Sequence, residues 1–244
     1  MRPSTLVTGG GGLLGGELRK HLPEADFPSS SEFDITDLAG MRRYVADRPP
    51  TAILHAAAFT SPPRAEREPM AVLDLNIVGT ANVARLAIEL GAYLLYVSTD
   101  YVFRGDTGGY REDDAVHPVN RYAWSKLGGE CAVRLYDRSL IVRTTFGPPV
   151  FQYPKAFTDQ WTSRESVVDI AAKLVPLFER RVTGVVHVGG PRRTVYDYAR
   201  SLDPQREIGR ISIDEVDFPV PRDTSLNCER YERLTSPRDD DSSS

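Results

Sequence analysis

Short apolar runs alternate with longer segments of helical periodicity through most of this chain. The first run, TLV, gives way to GGGGLLGG and then to a helix-like pattern ending near Leu22. A second strand is expected over Ala25–Pro28, followed by a helix over LAGMRRYVADR with Asp37 as its cap. PTAILHAAAF (Pro50 to Phe59) reads as a buried strand running into a turn of small residues. A long helix is predicted from Met70 to Leu90, a strand from Ala92 to Val97, a helix over 120–136 and a strand from Ser139 to Arg143. Repeated strand–helix alternation of this kind predicts an α/β fold, a Rossmann-type doubly wound parallel sheet. Beyond Thr144 the pattern weakens. A helix is expected from Ser166 to Arg181, a strand at GVVHVGG and a helix from Thr194 to Leu202. A short strand at Arg210–Ile213 and a small closing helix complete the reading. There is no internal repeat and no clean linker. The expected division is a core over 1–147 and a small C-terminal lobe over 148–235, interleaved with late core elements. SPRDDDSSS, 236–244, is expected to be a disordered acidic tail.

The candidate chemistry sits where the runs end. Gly9, Gly12 and Gly15 have the spacing GxxGxxG, after a strand and at the mouth of a helix. Glycines there let pyrophosphate approach bare backbone, and the helix N-terminus supplies N–H groups and a positive dipole end. Leu13 and Leu14 open that helix. At the end of the second strand an acid usually meets the ribose of NAD, but here stand Ser29, Ser30 and Ser31. Serines can donate to a 2′-phosphate, so NADPH is the expected cofactor with NADH also admitted, although no Arg adjoins them in the sequence. Asp34 and Ile35 are placed to reach the adenine, and Ala56, Ala57 and Ala58 to let backbone approach the cofactor. Asn76, in an apolar helix, must be hydrogen-bonded. Either it serves the neighbourhood of Lys126 or it binds backbone across a bulge.

Ser98 and Thr99 end the fourth strand, where open α/β sheets bind ligands. Tyr122 and Lys126, at i and i+4, share a face of the next helix. An ammonium beside a phenol favours the phenolate, so Tyr122 is expected to have a lowered pKa and to serve as a general acid.

Composition narrows the field. The 244 residues carry a net charge of −4, which gives no electrostatic case for a nucleic-acid partner. No apolar run approaches the roughly 20 residues of a membrane span, and no signal-peptide pattern opens the chain. Cys131 and Cys228 lack metal-ligand spacing, so a reducing cytosol is expected and no metal is.

LVTGGGGLLG, FDITD, HAAAFT, LNIVGTANVARLA, STDYVFRG, YREDD, NRYAWSKLGGE and IVRTTFG together resemble the extended short-chain dehydrogenases. Within them they look most like the dTDP-4-dehydrorhamnose reductase group, in register from Ser4 to about Gly147. The resemblance implies Thr99 as catalytic hydroxyl, Tyr122 as acid and Lys126 as its partner, also bonding the nicotinamide ribose. It implies Thr144 and Thr145 beside the carboxamide, and Thr60, Asp100 and Tyr101 toward the substrate. A keto sugar on a nucleotide is the implied substrate, with Arg164 and Arg222 as candidate phosphate clamps. A homodimer is compatible. The chain departs from the family in a shortened segment between Gly147 and Asp159, and in Trp161–Thr162–Ser163 after Asp159–Gln160. Two other roles stay open, an epimerase and a non-catalytic NADP-binding regulatory subunit. A dehydratase would need a second acid where Tyr101 stands.

Overall fold

The computed structural model describes residues 4–236; the acidic tail lies outside the described residues apart from Ser236. Five strands form one parallel sheet in the order β1 (Thr5–Thr8), β2 (Ala52–His55), β3 (Tyr93–Thr99), β4 (Ser139–Thr144) and β5 (Gly184–Val188). β3 and β4 are buried at every position, as expected of central parallel strands covered on both faces. Helices α1 (Leu13–His21), α2 (Leu38–Val45) and α3 (Pro62–Arg67) precede the long α4 (Pro69–Leu90). After β3 come α5 (Arg121–Val133), α6 (Val167–Glu179), α7 (Val195–Leu202) and α8 (Glu229–Thr235).

One core layer joins Leu14 and Leu18 of α1 to Val167, Ile170 and Leu174 of α6. The opposite layer joins Met41 of α2 to Val83 and Ala87 of α4 and Val133 of α5. β5 and α6 lie beyond position 148 and complete the central sheet and its cover, so the chain returns to the core after leaving it.

The second strand shrinks to a single parallel bridge between Leu6 and Asp26, with Val7 N–H donating to Asp26 O and Asp26 N–H to Thr5 O, both 2.8 Å. Pro23 and Pro28 flank this edge segment, and prolines cannot extend a ladder. Its position still matters. The chain leaves β1 toward Asp26 on one side and returns to β2 on the other, which places a topological switch point at the carboxyl ends of β1 and β2.

The long helix starts one residue earlier than the pattern predicts, and its Leu73–Gly79 portion is π-wound. By length and composition alone it is apolar enough to cross a membrane, which a search for uninterrupted apolar runs passes over. Val83, Ala84, Leu86 and Ala87 on it are core residues.

The smaller lobe is built from short ladders around Phe151, Ala156, Val195, Tyr198 and Ile208. Lys155–Phe157 pairs with Gly209–Ile211, and Trp161–Thr162 with Arg193–Thr194.

Candidate active site

At the switch point the glycine loop lies directly on the alanine turn. Gly9 has φ +76°, and a Cβ built there would stand 2.7 Å from Ala57 N and 2.8 Å from Ala56 C. A Cβ on Gly15 would overlap Gly9 O, so α1 meets the loop at a distance only glycine permits. α1 opens without an acid in its first turn and without a capping side chain. Across the sheet, Thr144 Oγ1 is buried with no hydrogen-bond partner. A bare backbone cradle, an uncapped helix N-terminus and a waiting hydroxyl fit a dinucleotide. Gly9→Ala would add strain of about 1–3 kcal/mol to the backbone clash. The expected result in a fluorescence titration is at least tenfold weaker NADPH binding, and an unchanged Kd would show that the loop is not the cradle.

The candidate reacting groups lie one strand further on. Thr99 ends β3, its hydroxyl donating to Asp100 Oδ1 at 3.1 Å and accepting from Tyr101 N–H at 3.3 Å. Asn120 caps α5 by accepting from Ala123 N–H at 2.9 Å, which fixes the start of the helix one residue before Arg121. Tyr122, in the first turn, thereby faces the end of β3, with Tyr101 edge-on to its ring at 6.3 Å. One turn later Lys126 is buried, donates from Nζ to Val97 O at 2.8 Å, and lies 4.2 Å from the centre of the Tyr96 ring.

The electrostatics differ from the expected phenolate. Tyr122 is half-buried, and desolvation raises its pKa. The Thr99 hydroxyl opposes that rise, while Asp100 and Tyr101 add to it. Lys126 is turned toward Val97 O, and desolvation lowers its own pKa to about 7 against the opposing charge of Glu130. Tyr122 is therefore a neutral phenol throughout the physiological range, the form a proton donor needs. Burial pushes Asp100 up to about 6, opposed by hydrogen bonds from Thr224 and Thr99 and by the charge of Arg164.

Several expected contacts have other duties. Asn76 accepts from Phe59 N–H at 2.8 Å and donates to Phe59 O and Ser125 Oγ, so it pins backbone across the π-wound segment rather than facing the cofactor. Ser98 donates to the buried carboxylate of Glu130 at 2.6 Å. Ile35 and Leu14 point into the core, each 4% exposed. Asp34 closes a turn by accepting from Thr36 N–H and Oγ1, both 2.8 Å. Ser29 and Ser30 are exposed, but Ser29 donates both N–H and hydroxyl to Glu32. Asp37 caps α2. Thr60 is exposed, and Thr145 lends its carbonyl to Glu165 N–H at 3.3 Å. Arg222 is exposed and divided between Asp159 at 3.6 Å and Asp214 at 3.7 Å. Arg164, partly buried, makes no ion pair among the described residues, and its charge acts on Asp100 and Tyr101.

Some groups were not visible in the pattern. Thr224 donates to Asp100 Oδ2 at 2.6 Å, and Gln160 to the Tyr101 hydroxyl at 2.7 Å, so the smaller lobe is tied directly to the turn after β3. The altered turn is held in place by Arg192, which stacks 3.9 Å from the centre of the Trp161 ring and pairs with Asp223 at 2.7 Å.

A doubly wound parallel sheet with a glycine cradle at its switch point and a Thr–Tyr–Lys set at the next strand end defines a dinucleotide-binding α/β protein of short-chain dehydrogenase type. The RmlD substrate binding domain model matches residues 2–157, and the chain belongs to that family. It is 34% identical to a dTDP-4-dehydrorhamnose reductase from Aggregatibacter actinomycetemcomitans, over 81% of this chain and 77% of that one. It is also 34% identical to methionine adenosyltransferase 2 subunit beta from Xenopus laevis, over 94% of this chain and 81% of that one. Among solved structures, a dTDP-4-dehydrorhamnose reductase from Bacillus anthracis in complex with NADP superposes with a TM-score of 0.88. That pair is 27% identical, with 96% of this chain and 93% of that one covered.

Proposed function

We propose that this protein is an NAD(P)H-dependent reductase of a keto group on a nucleotide-linked deoxysugar. The observation that carries the reading is the convergence of Thr99 and a neutral Tyr122 at one strand end, beside a backbone cradle suited to a dinucleotide. Gly9, Gly12, Gly15 and Ala56–Ala58 would hold the cofactor, with Thr144 on its far side. Bound there, the nicotinamide supplies the hydride. Thr99 and Tyr122 hold the carbonyl oxygen from two sides. Tyr122 passes its phenolic proton to that oxygen as negative charge develops on it. Buried Lys126, one turn along the same helix and partly charged at neutral pH, would turn from Val97 O to stabilise the resulting phenolate. Tyr101, held by Gln160, forms an aromatic wall.

With Arg222 engaged by two carboxylates, the substrate's diphosphate falls to Arg164. Loss of one charge-assisted contact costs about 1.5–3 kcal/mol. Arg164→Ala should therefore raise KM for the sugar nucleotide about tenfold or more. Arg222→Ala should change it little, and the reverse ranking would move the diphosphate to Arg222.

Steady NADPH oxidation with a panel of 4-keto sugar nucleotides tests the reading. A second reading, a cofactor-binding subunit of another enzyme, is favoured by the relative named as a methionine adenosyltransferase subunit, which aligns over 94% of the chain. Tight NADPH binding with no oxidation by any member of the panel would decide for that role.

A further inference from the structure

No arginine adjoins the serines of the ribose loop in sequence, yet the fold brings one to them. Arg19, on α1, lays its guanidinium over Phe27, with Cζ 4.3 Å from the ring centre. Phe27 follows the Asp26 bridge, at the strand end where the adenosine ribose of a dinucleotide lies in this fold. The same two side chains close on the glycine loop. A Cβ built on Gly10 would stand 3.0 Å from Phe27 Cβ and 3.4 Å from Arg19 Nη2. Gly10, Phe27 and Arg19 thus form one wall at the mouth of the cradle.

A guanidinium resting on a ring needs no ligand to be stable. Its place and its free valence point to one. Arg19 is exposed and makes no ion pair or hydrogen bond among the described residues. The neighbouring acids each have a partner: Glu17 holds Lys20 at 2.8 Å, Asp26 accepts from the Tyr44 hydroxyl at 2.9 Å, and Glu32 accepts from Ser29. Ser29 does not replace it. The hydroxyl proton of Ser29 is committed to Glu32, and its oxygen stands 2.9 Å from Ser31 Oγ.

We propose that Arg19, oriented by Phe27, is the residue that recognises the 2′-phosphate of NADPH and sets the preference for it over NADH. The planar fork offers paired N–H donors to a phosphate dianion, while a 2′-hydroxyl gains nothing comparable. Glu32 is held against Ser29 and does not pair with Arg19. This inference rests on the dinucleotide reading of the cradle.

The test is binding, independent of turnover. Titrations with NADPH and NADH, and calorimetry with 2′,5′-ADP and ADP, are run on the wild type, Arg19→Gln, Arg19→Lys and Phe27→Leu. Arg19→Gln should lower the NADPH:NADH affinity ratio at least about tenfold, and Arg19→Lys should retain part of it. Phe27→Leu, which frees the guanidinium without removing it, should fall between. Raising ionic strength should erode the wild-type preference and leave that of Arg19→Gln flat. A ratio identical in wild type and Arg19→Gln, with both nucleotides still bound, overturns the assignment alone. Failure of both nucleotides to bind the wild type overturns the dinucleotide reading and this inference with it.

Discussion

Replacing Tyr122 by phenylalanine is expected to lower kcat by about 10²–10⁴-fold, the usual worth of a positioned general acid, while the Kd for NADPH changes by less than about twofold. The ring would still fill its place beside Tyr101, so the loss isolates the hydroxyl. The pH profile makes the assignment sharper. Because burial raises Tyr122 above its ordinary pKa, the phenol stays protonated across the working range, and it sets no alkaline limb near neutrality. Lys126, lowered to about 7 by burial, loses its charge as pH climbs through that value. Wild-type kcat is therefore expected to fall with rising pH through about 7 as Lys126 loses its charge. That fall should vanish in Lys126→Met, whose residual rate would be flat there. Retention of more than about a tenth of the wild-type kcat in Tyr122→Phe would take the phenol out of the mechanism.

What could be read in the sequence follows from how local each signal is. The glycine spacing, the strand ends at Thr8 and Thr99, and the i, i+4 pair of Tyr122 and Lys126 are written in contiguous residues. The sequence reading put the glycines and Thr99 at strand ends and the Tyr–Lys pair on the helix that follows. The side chains of Ser98 and Asn76 are settled by distant partners, and of the two roles open for Asn76 the structure takes the backbone one. Ser98 and Asn76 take theirs from residues 32 and 49 positions away. Ser29 took its partner from Glu32, and the competing carboxylate was in plain view three residues on. Arg19 was overlooked for the complementary reason. It meets Phe27 only because the short Asp26 segment lies against β1, a packing no periodicity announces. The lowered pKa expected of Tyr122 failed on geometry: helical spacing puts Lys126 on the right face, but its ammonium turns to Val97 O.

β4 is buried at every position although it contains an arginine, and the inward face of α5 carries Glu130 one turn beyond Lys126. Buried charges of opposite sign on packed elements should be sought as a pair. They are one: Arg143 Nε and Nη2 reach Glu130 Oε1 and Oε2 at 3.0 and 2.9 Å, with 1% and 0% of their side chains exposed. Ser98 adds its hydroxyl to the same carboxylate, and the guanidinium lies 5.0 Å from the Phe103 ring centre. This strut ties the Tyr–Lys helix to β3 and β4, directly behind the reacting groups. Glu130→Ala would strand an unpaired guanidinium in the core, at a cost of about 3–5 kcal/mol. In a protein of this size that corresponds to a fall in Tm of roughly 6–20 °C. The double change Glu130→Leu with Arg143→Met removes both charges and keeps the apolar volume, so it should recover most of the loss. Thermal unfolding of the three proteins decides the matter. If the double variant is as unstable as Glu130→Ala, the loss came from packing, and the strut is not held by its charges.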